Sequence, residues 1–277
     1  MEITKHANEV SGGKRFEFGA NWVRFLEILD DERIAQAEKS LCDMLSVNNL
    51  HGKSFLDIGS GSGLFSLAAR RMGATVSSFD YDPKSVACTL ELKRRYFPED
   101  TQWVIEESSV LDKAHLSRIG KFDVVYSWGV LHHTGAMWEA LENVVPLVNG
   151  GGKLFLAIYN DQGWASIIWK QIKKAYCNAP EPLRTGLLLL ACMRLWGPTM
   201  IRDTLRGRPG STARNYGNNF RGMSPWRDVV DWVGGYPFEV AKPEEISNFY
   251  QDKGFLLGKL ETCAGGLGCN QFVFTRL

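Results

Sequence analysis

Apolar residues follow two rhythms along this chain of 277 residues. Short apolar-rich segments read as strands at 53–57, 75–80, 103–106, 122–127 and 153–159, with two more at 255–261 and 271–276, and the fourth reads as a buried parallel strand. Between them, apolar positions recur at helical spacing. Trp22, Phe25, Leu26, Leu29, Ile34, Ala37, Leu41, Met44 and Leu45 predict two helices over 21–50, broken near Asp30-Asp31. A helix follows the first strand from Leu64 and stops near Met72-Gly73, where glycine favours a left-handed cap. Another starts at Pro83 and runs to about Tyr96, a third covers 137–147, and a fourth covers 243–252 with Glu244 and Glu245 in its first turn. Strand alternating with helix predicts an α/β fold with a largely parallel sheet.

The alternation is interrupted once. About eighty residues, 160–242, separate the fifth strand from the last helix, where a minimal connection needs only ~20. The chain therefore divides into a helical leader (1–50), a ligand-binding core (51–159), a helical insertion (160–242) and a final part of the core sheet (243–277). The insertion predicts a helix over 165–176 and an apolar run from Leu187 to Trp196, followed by Arg202, Arg206, Arg208, Arg214 and Arg221. That run is too short to span a bilayer. It reads either as a helix packed on the core or as one lying in a membrane interface.

Composition narrows the class. Hydrophobic residues at 44% and charged residues at 23% fit an ordinary globular protein, and a net charge of +1 gives no case for nucleic acid as a partner. Six cysteines with no secretion signal at the first residues read as reduced thiols in a cytoplasmic protein. Cys263 and Cys269 flank a turn, AGGLG, and form no metal-ligand pattern, so no metal is expected.

The chemistry concentrates at FLDIGSGSG, residues 55–63. A strand ends in Asp57, and glycines follow at 59, 61 and 63 before a helix start. Glycines allow backbone angles closed to other residues and let a ligand approach the main chain. The helix start offers unpaired N–H groups to an anionic group, and Asp57 can accept from a cationic amine. A dinucleotide loop needs a different glycine spacing, with its last glycine where Leu64 stands, and a phosphate loop needs a Gly-Lys-Ser/Thr ending that is absent. Asp80 ends the second strand, where a carboxylate suits a ribose diol.

The pattern Asp-x-Gly-x-Gly-x-Gly resembles motif I of class I methyltransferases that use S-adenosylmethionine (SAM). FDVVYSWGVLHHT, residues 122–134, resembles the fourth-strand motif of the ubiquinone-biosynthesis-like (type 11) methyltransferases. The likeness covers residues ~50–160. It implies a Rossmann-like, doubly wound seven-stranded sheet of order 3-2-1-4-5-7-6. It also implies SAM as cofactor, S-adenosylhomocysteine as product, and cofactor contacts from Asp57, Gly59, Ser60, Gly61, Gly63, Asp80, Tyr81, Ser109, Val110, Ser127 and Trp128. In such enzymes a leader often covers the cofactor, which makes residues 16–22 lid candidates.

Methyl transfer is chiefly a problem of alignment, and an oxygen acceptor must also lose a proton. His132 and His133 follow the fourth strand and are the candidate bases, with Asp231 a candidate facing the acceptor. Tyr159, Asn160, Arg221, Trp226, Asp228 and Tyr236 are the candidate acceptor contacts. The expected function is O-methylation of a small molecule or of a glycan- or lipid-linked acceptor by a monomer or homodimer, with peripheral membrane contact only on the interfacial reading of the apolar run. The alternatives are N-, C- or S-methylation, a non-catalytic SAM-binding subunit, and an RNA or protein methyltransferase. The last lacks the Asn/Asp-Pro-Pro-Tyr/Phe signature, since Ser127-Trp128-Gly129-Val130 stands at that place.

Overall fold

A computed structural model describes residues 5–214 and 225–277. Seven strands form one sheet: β1 (Ser54–Ile58), β2 (Thr75–Asp80), β3 (Trp103–Glu107), β4 (Phe122–Trp128), β5 (Val148–Tyr159), β6 (Phe255–Glu261) and β7 (Cys269–Arg276). Their order is β3-β2-β1-β4-β5-β7-β6, the expected one. The first five are parallel, and β7 runs antiparallel between β5 and β6. Successive strand residues face opposite sides, so each apolar run feeds two cores at once. Phe55, Val124, Tyr126 and Phe155 join one core with Leu41 and Leu67. Leu56, Val125, Leu154 and Leu156 join the other with Leu141, Ile246 and Tyr250.

Helices cover both faces: α3 (Asp31–Leu45), α4 (Leu64–Arg71) and α5 (Pro83–Tyr96) on the first, and α6 (Lys113–Ile119), α7 (Met137–Val144) and α12 (Pro243–Gln251) on the second. Aspartates start three of them. Asp30, Asp82 and Asp112 accept backbone N–H groups at the heads of α3, α5 and α6, filling donors the first turn leaves unpaired.

Within the leader, α1 (Lys5–Ser11) and α2 (Gly19–Phe25) are helical and His6 is buried. Asn149-Gly150-Gly151-Gly152, which by sequence is a turn ahead of the strand at 153–159, lies within β5, because Val148 already pairs with Phe122 and the register shifts before Val124. A bulge, which glycine accommodates, replaces the turn. A side chain at Gly152 would come within 2.9 Å of the Asn149 carbonyl.

The insertion forms α8 (Trp164–Asn178), α9 (Glu181–Leu205), α10 (Ser211–Arg214) and α11 (Pro225–Gly234). A third apolar cluster holds α8, α9 and α11 together through Tyr176, Cys177, Leu188, Ala191, Val229 and Val233. The run at 187–196 is the middle of a helix of 25 residues. No helix among the described residues is long and apolar enough to cross a membrane.

Candidate active site

The glycine loop is fastened to the second strand. Gly59 donates to the Phe79 carbonyl (2.8 Å), and Gly61 N–H donates to Asp80 Oδ2 (2.9 Å). The other Asp80 oxygen accepts from Asp82 N–H (2.8 Å). Gly59, Gly61 and Gly63 take φ of 76°, 56° and 81°, a region open to glycine and costly for other residues. Asp80 thus holds the loop to the end of β2. Ser60 Oγ lies 2.9 Å from Thr89 Oγ1, which uses that hydroxyl within the fold.

Asp57 is buried beneath the loop. Ser66 donates to it at 2.5 Å, Ser66 and Ser78 lie 2.7 Å apart, and Trp103 Nε1 donates to Ser78 at 2.9 Å. Burial lifts the Asp57 carboxyl to about 7, with the Asp80 charge adding to the rise and the Ser66 bond opposing it. Burial likewise lifts Asp80 to about 6, against the amides of Asp82 and Gly61. Two desolvated carboxylates favour a cation between or beside them. Past β3, Ser109 Oγ accepts from Leu111 N–H (3.1 Å) and Val110 is buried. Ser108 Oγ and His115 Nε2 there are buried polar atoms with no hydrogen-bond partner among the described residues. A cation, a diol and a polar ring together would meet these groups, so the residues present fit SAM.

The leader closes over this site. Gly19 N–H donates to Asp82 (2.8 Å), and His6 lies 3.7 Å from the same carboxylate, edge-on to Tyr81 with ring centroids 5.4 Å apart. Arg15 stacks over Tyr81 at 5.0 Å, pairs with Glu9, and donates to the His133 carbonyl (2.8 Å). The Tyr81 hydroxyl is pushed up to about 12 by burial and by Glu9. Trp22 rests on the glycine loop, where a side chain at Gly61 would come within 3.1 Å of its indole nitrogen.

The second half of the site lies at the carboxyl ends of β4 and β5. There the segment 237–241 crosses both strands: Glu239 N–H donates to the His132 carbonyl (3.0 Å) and Ala241 N–H to the Tyr159 carbonyl (3.0 Å). His132 is fully buried, and its Nδ1 accepts from Tyr159 N–H (3.2 Å). Its hydrogen is therefore assigned to Nε2, which finds no partner among the described residues. His133 Nδ1 lies 2.6 Å from the Pro237 carbonyl. A carbonyl only accepts, so Nδ1 carries the hydrogen and Nε2 keeps its lone pair. Burial holds His132 far below the usual imidazole value and lowers His133 to about 3, with Lys173 adding to both effects. Both rings are neutral near pH 7. Gly235 is required beside them, since a side chain there would come within 2.9 Å of His133 Cε1.

Tyr159 lies under this pair, 3.9 Å from the His132 ring, with Trp232 and Phe238 beyond it at 5.2 and 5.4 Å. Its hydroxyl is pushed well above 10, by burial and then by Cys269, Asp231 and Asp228. Lys173 points into the same cage. Its amine donates to the Trp232 carbonyl and sits 4.2 Å from the Trp232 ring and 4.6 Å from Phe238. Burial drops it to about 7, while Cys177, Asp231 and Cys269 hold it up. Asp231 accepts from Asn21 of α2, so leader and insertion meet over the site. A cleft of about 430 Å³ opens behind Pro237, lined by Lys14, Lys170, Lys174, Tyr236, Phe238 and Glu239.

The expected residues divide accordingly. The structure brings Asp57, the three glycines, Asp80 and Tyr81 together at one end, and His132, His133, Tyr159 and Asp231 at the other. Ser127 and Trp128 have spent their side chains on the sheet. Ser127 donates to the Ile58 carbonyl (3.1 Å) and Trp128 to Gln271 (2.9 Å), which leaves only their main chain for a ligand. Asn160 is similarly used, donating to the Gly266 carbonyl and accepting from Asn270. Trp226 is 47% exposed and stands apart from the aromatic cage, where Trp232 takes the place foreseen for it. Asp228 lies near Tyr159, Tyr236 packs in the insertion cluster, and Arg221 falls outside the described residues. Arg15, Lys173, Trp232 and Phe238 were not foreseen. One signal existed: Lys173 occupies the apolar stripe that Trp169, Ile172, Tyr176 and Cys177 define on α8, and a lysine on such a stripe is buried or functional.

The sheet order, with a glycine loop at the first strand and a carboxylate at the end of the second, defines the class I SAM-dependent methyltransferase fold. Residues 56–154 match the family model described as "Methyltransferase domain". Over 116 residues the chain is 30% identical to a ubiquinone biosynthesis O-methyltransferase of Escherichia coli O7:K1, covering 41% of this chain and 46% of that enzyme. It is 28% identical over 153 residues to the Erwinia tasmaniensis enzyme of the same name, covering 51% and 60%. The chain thus spans about half the length of the curated relatives it matches. A crystal structure of magnesium protoporphyrin IX methyltransferase from Synechocystis with bound S-adenosylhomocysteine superposes with a TM-score of 0.53 at 14% identity, covering 100% of this chain and 90% of that one. At that identity the likeness is one of fold.

Proposed function

We propose that this protein transfers the methyl group of SAM to an oxygen of a small-molecule, glycan-linked or lipid-linked acceptor. The observation that carries the reading is His133: a neutral imidazole, fixed through Nδ1, with its Nε2 lone pair kept at the carboxyl end of β4. SAM, when bound, supplies an electrophilic methyl group at a sulfonium. Asp80 and the glycine loop would hold its ribose and main-chain-like end, and Asp57 its amine. On the acceptor side His133 Nε2 would take the hydroxyl proton as the oxygen–carbon bond forms and the sulfur–carbon bond breaks, with S-adenosylhomocysteine leaving. Burial keeps this lone pair weakly basic, so the proton moves only as the attacking hydroxyl becomes strongly acidic. Tyr159, Trp232 and Phe238 provide an apolar wall, and the Lys173 amine in the same cage would orient the acceptor oxygen by a hydrogen bond. Residues 160–242 supply most of this half and act as the acceptor-recognition region.

Two measurements separate donor from acceptor. Calorimetry with SAM should show Asp80→Ala weakened at least about tenfold, the cost of losing charge-assisted hydrogen bonds; unchanged affinity removes the ribose assignment. With methyl-labelled SAM and a panel of phenols, carboxylic acids, amines and thiols, label should enter an oxygen acceptor. His133→Ala should then lose about 10²–10⁴-fold in kcat at unchanged SAM affinity. Label entering only amines or thiols overturns the O-methylation reading, and SAM binding without any transfer favours a non-catalytic subunit.

A further inference from the structure

Helix α9 is apolar on both faces. Leu188 and Ala191 turn inward to the insertion cluster. The opposite face carries Leu183, Leu190, Met193, Ile201 and Leu205, exposed by 56, 61, 61, 63 and 83%. Their spacing follows the helical repeat, so they form one outward stripe, where a helix on a globular surface normally places polar residues. Trp164, at the start of the neighbouring α8, is 79% exposed. Patches of this kind mark contact surfaces.

Charge decides what the stripe contacts. The acids of α9 are Glu181, its first residue, which pairs with Arg184 (3.4 Å), and Asp203, and no other acid lies between 182 and 214. Asp203 is buried, and its carboxylate accepts the Thr212 N–H (2.8 Å) and hydroxyl (2.9 Å). Arg194 sits within the apolar stripe, and Arg202, Arg206 and Arg208 follow at its end, all exposed. An exposed face that combines apolar side chains with arginine, on a helix whose two carboxylates are already engaged, is complementary to an anionic lipid surface. Its side chains enter the headgroup boundary while guanidinium groups meet phosphates. A second copy of the chain fits less well. Across a two-fold contact centred on the stripe, Arg194 would face its own image with no acid to pair it.

We propose that α9 docks this protein on an anionic membrane surface, lying in the interface with Leu190, Met193 and Ile201 inserted and the arginines on the headgroups. The inference is independent of methyl transfer, and its test uses no cofactor. The full chain is floated on a density gradient with phosphatidylcholine vesicles or with vesicles that also contain phosphatidylglycerol. Flotation with the anionic vesicles alone, weakened by added salt, is the expected result. The variant Leu190→Ser/Met193→Ser/Ile201→Ser should bind at least about tenfold less at a thermal unfolding midpoint little changed, because these side chains are more than half exposed. Arg202→Gln/Arg206→Gln reads the same contact without touching apolar positions and should also weaken binding. No flotation of the parent protein, or undiminished flotation of both variants, overturns the proposal. So does a vesicle-free dimer by light scattering that the triple variant dissociates, which would give the stripe to a second copy.

Discussion

His132 and His133 differ in which ring nitrogen is tied down. One gives its lone pair to the Tyr159 amide, and the other gives its hydrogen to the Pro237 carbonyl. Sequence places both at the end of the fourth strand and cannot separate them, because the partners lie 27 and 104 residues away. Lys173 has a sharper signature. Its amine titrates at about 7 when folded, against 10.5 as the ordinary value. Between those values the unfolded chain holds a proton that the folded chain lacks, so this site's contribution to stability improves as pH rises from 7 to 10.5. Below 7 the buried charge costs its full amount, at ~1.4 kcal/mol per unit of displacement. Lys173→Met is therefore expected to raise the thermal midpoint by several degrees at pH 6, with the gain shrinking towards pH 10, followed by calorimetric scans across pH. A gain that grows with pH would mean that the cage stabilises the ammonium ion. In the same variant kcat should fall while SAM affinity holds, if the amine serves the acceptor.

At the scale of elements, α2 begins among residues 16–22, the lid candidates of the sequence. Trp22 covers the glycine loop while Asn21 reaches Asp231 in α11. One short helix thereby touches both halves of the site, placed as a lid over the glycine loop. Trp22→Phe should remove most of the tryptophan fluorescence change on adding SAM. Trp164→Phe, 79% exposed at the start of α8, should leave that signal intact. Trp22→Ala should speed release of S-adenosylhomocysteine by about tenfold in stopped flow, as expected when a lid contact is lost; an unchanged rate would leave α2 a structural helix. The core elements were legible because their signals are local: apolar runs for strands, aspartate and proline at helix starts, glycine at stops. The bulge in β5 was not, since pairing with β4 overrides the preference of Asn149-Gly150-Gly151-Gly152 for a turn.

Over the whole molecule, the sheet carries the two raised carboxylates to its carboxyl edge, and this has a consequence for binding. In the ligand-free protein Asp57 titrates at about 7. A raised acid contributes its stability below 3.8 and loses it as pH climbs through 7. A cationic ligand reverses the preference by stabilising the carboxylate. SAM binding should therefore release up to about one proton near pH 6.5 and almost none at 8.5, read by calorimetry in buffers of different ionisation enthalpy; no release at either pH would place the amine away from Asp57. Sequence alone determined the sheet, the glycine loop and Asp80, because strand pattern, turn chemistry and spacing along ~30 residues are written in consecutive positions. Tertiary structure decided the rest. Distant segments pack Lys173 among Tyr159, Trp232 and Phe238, tie Ser127 and Asn160 into the sheet, and turn one face of α9 outward. Each of these depends on which remote surface a side chain meets, and no local pattern encodes that.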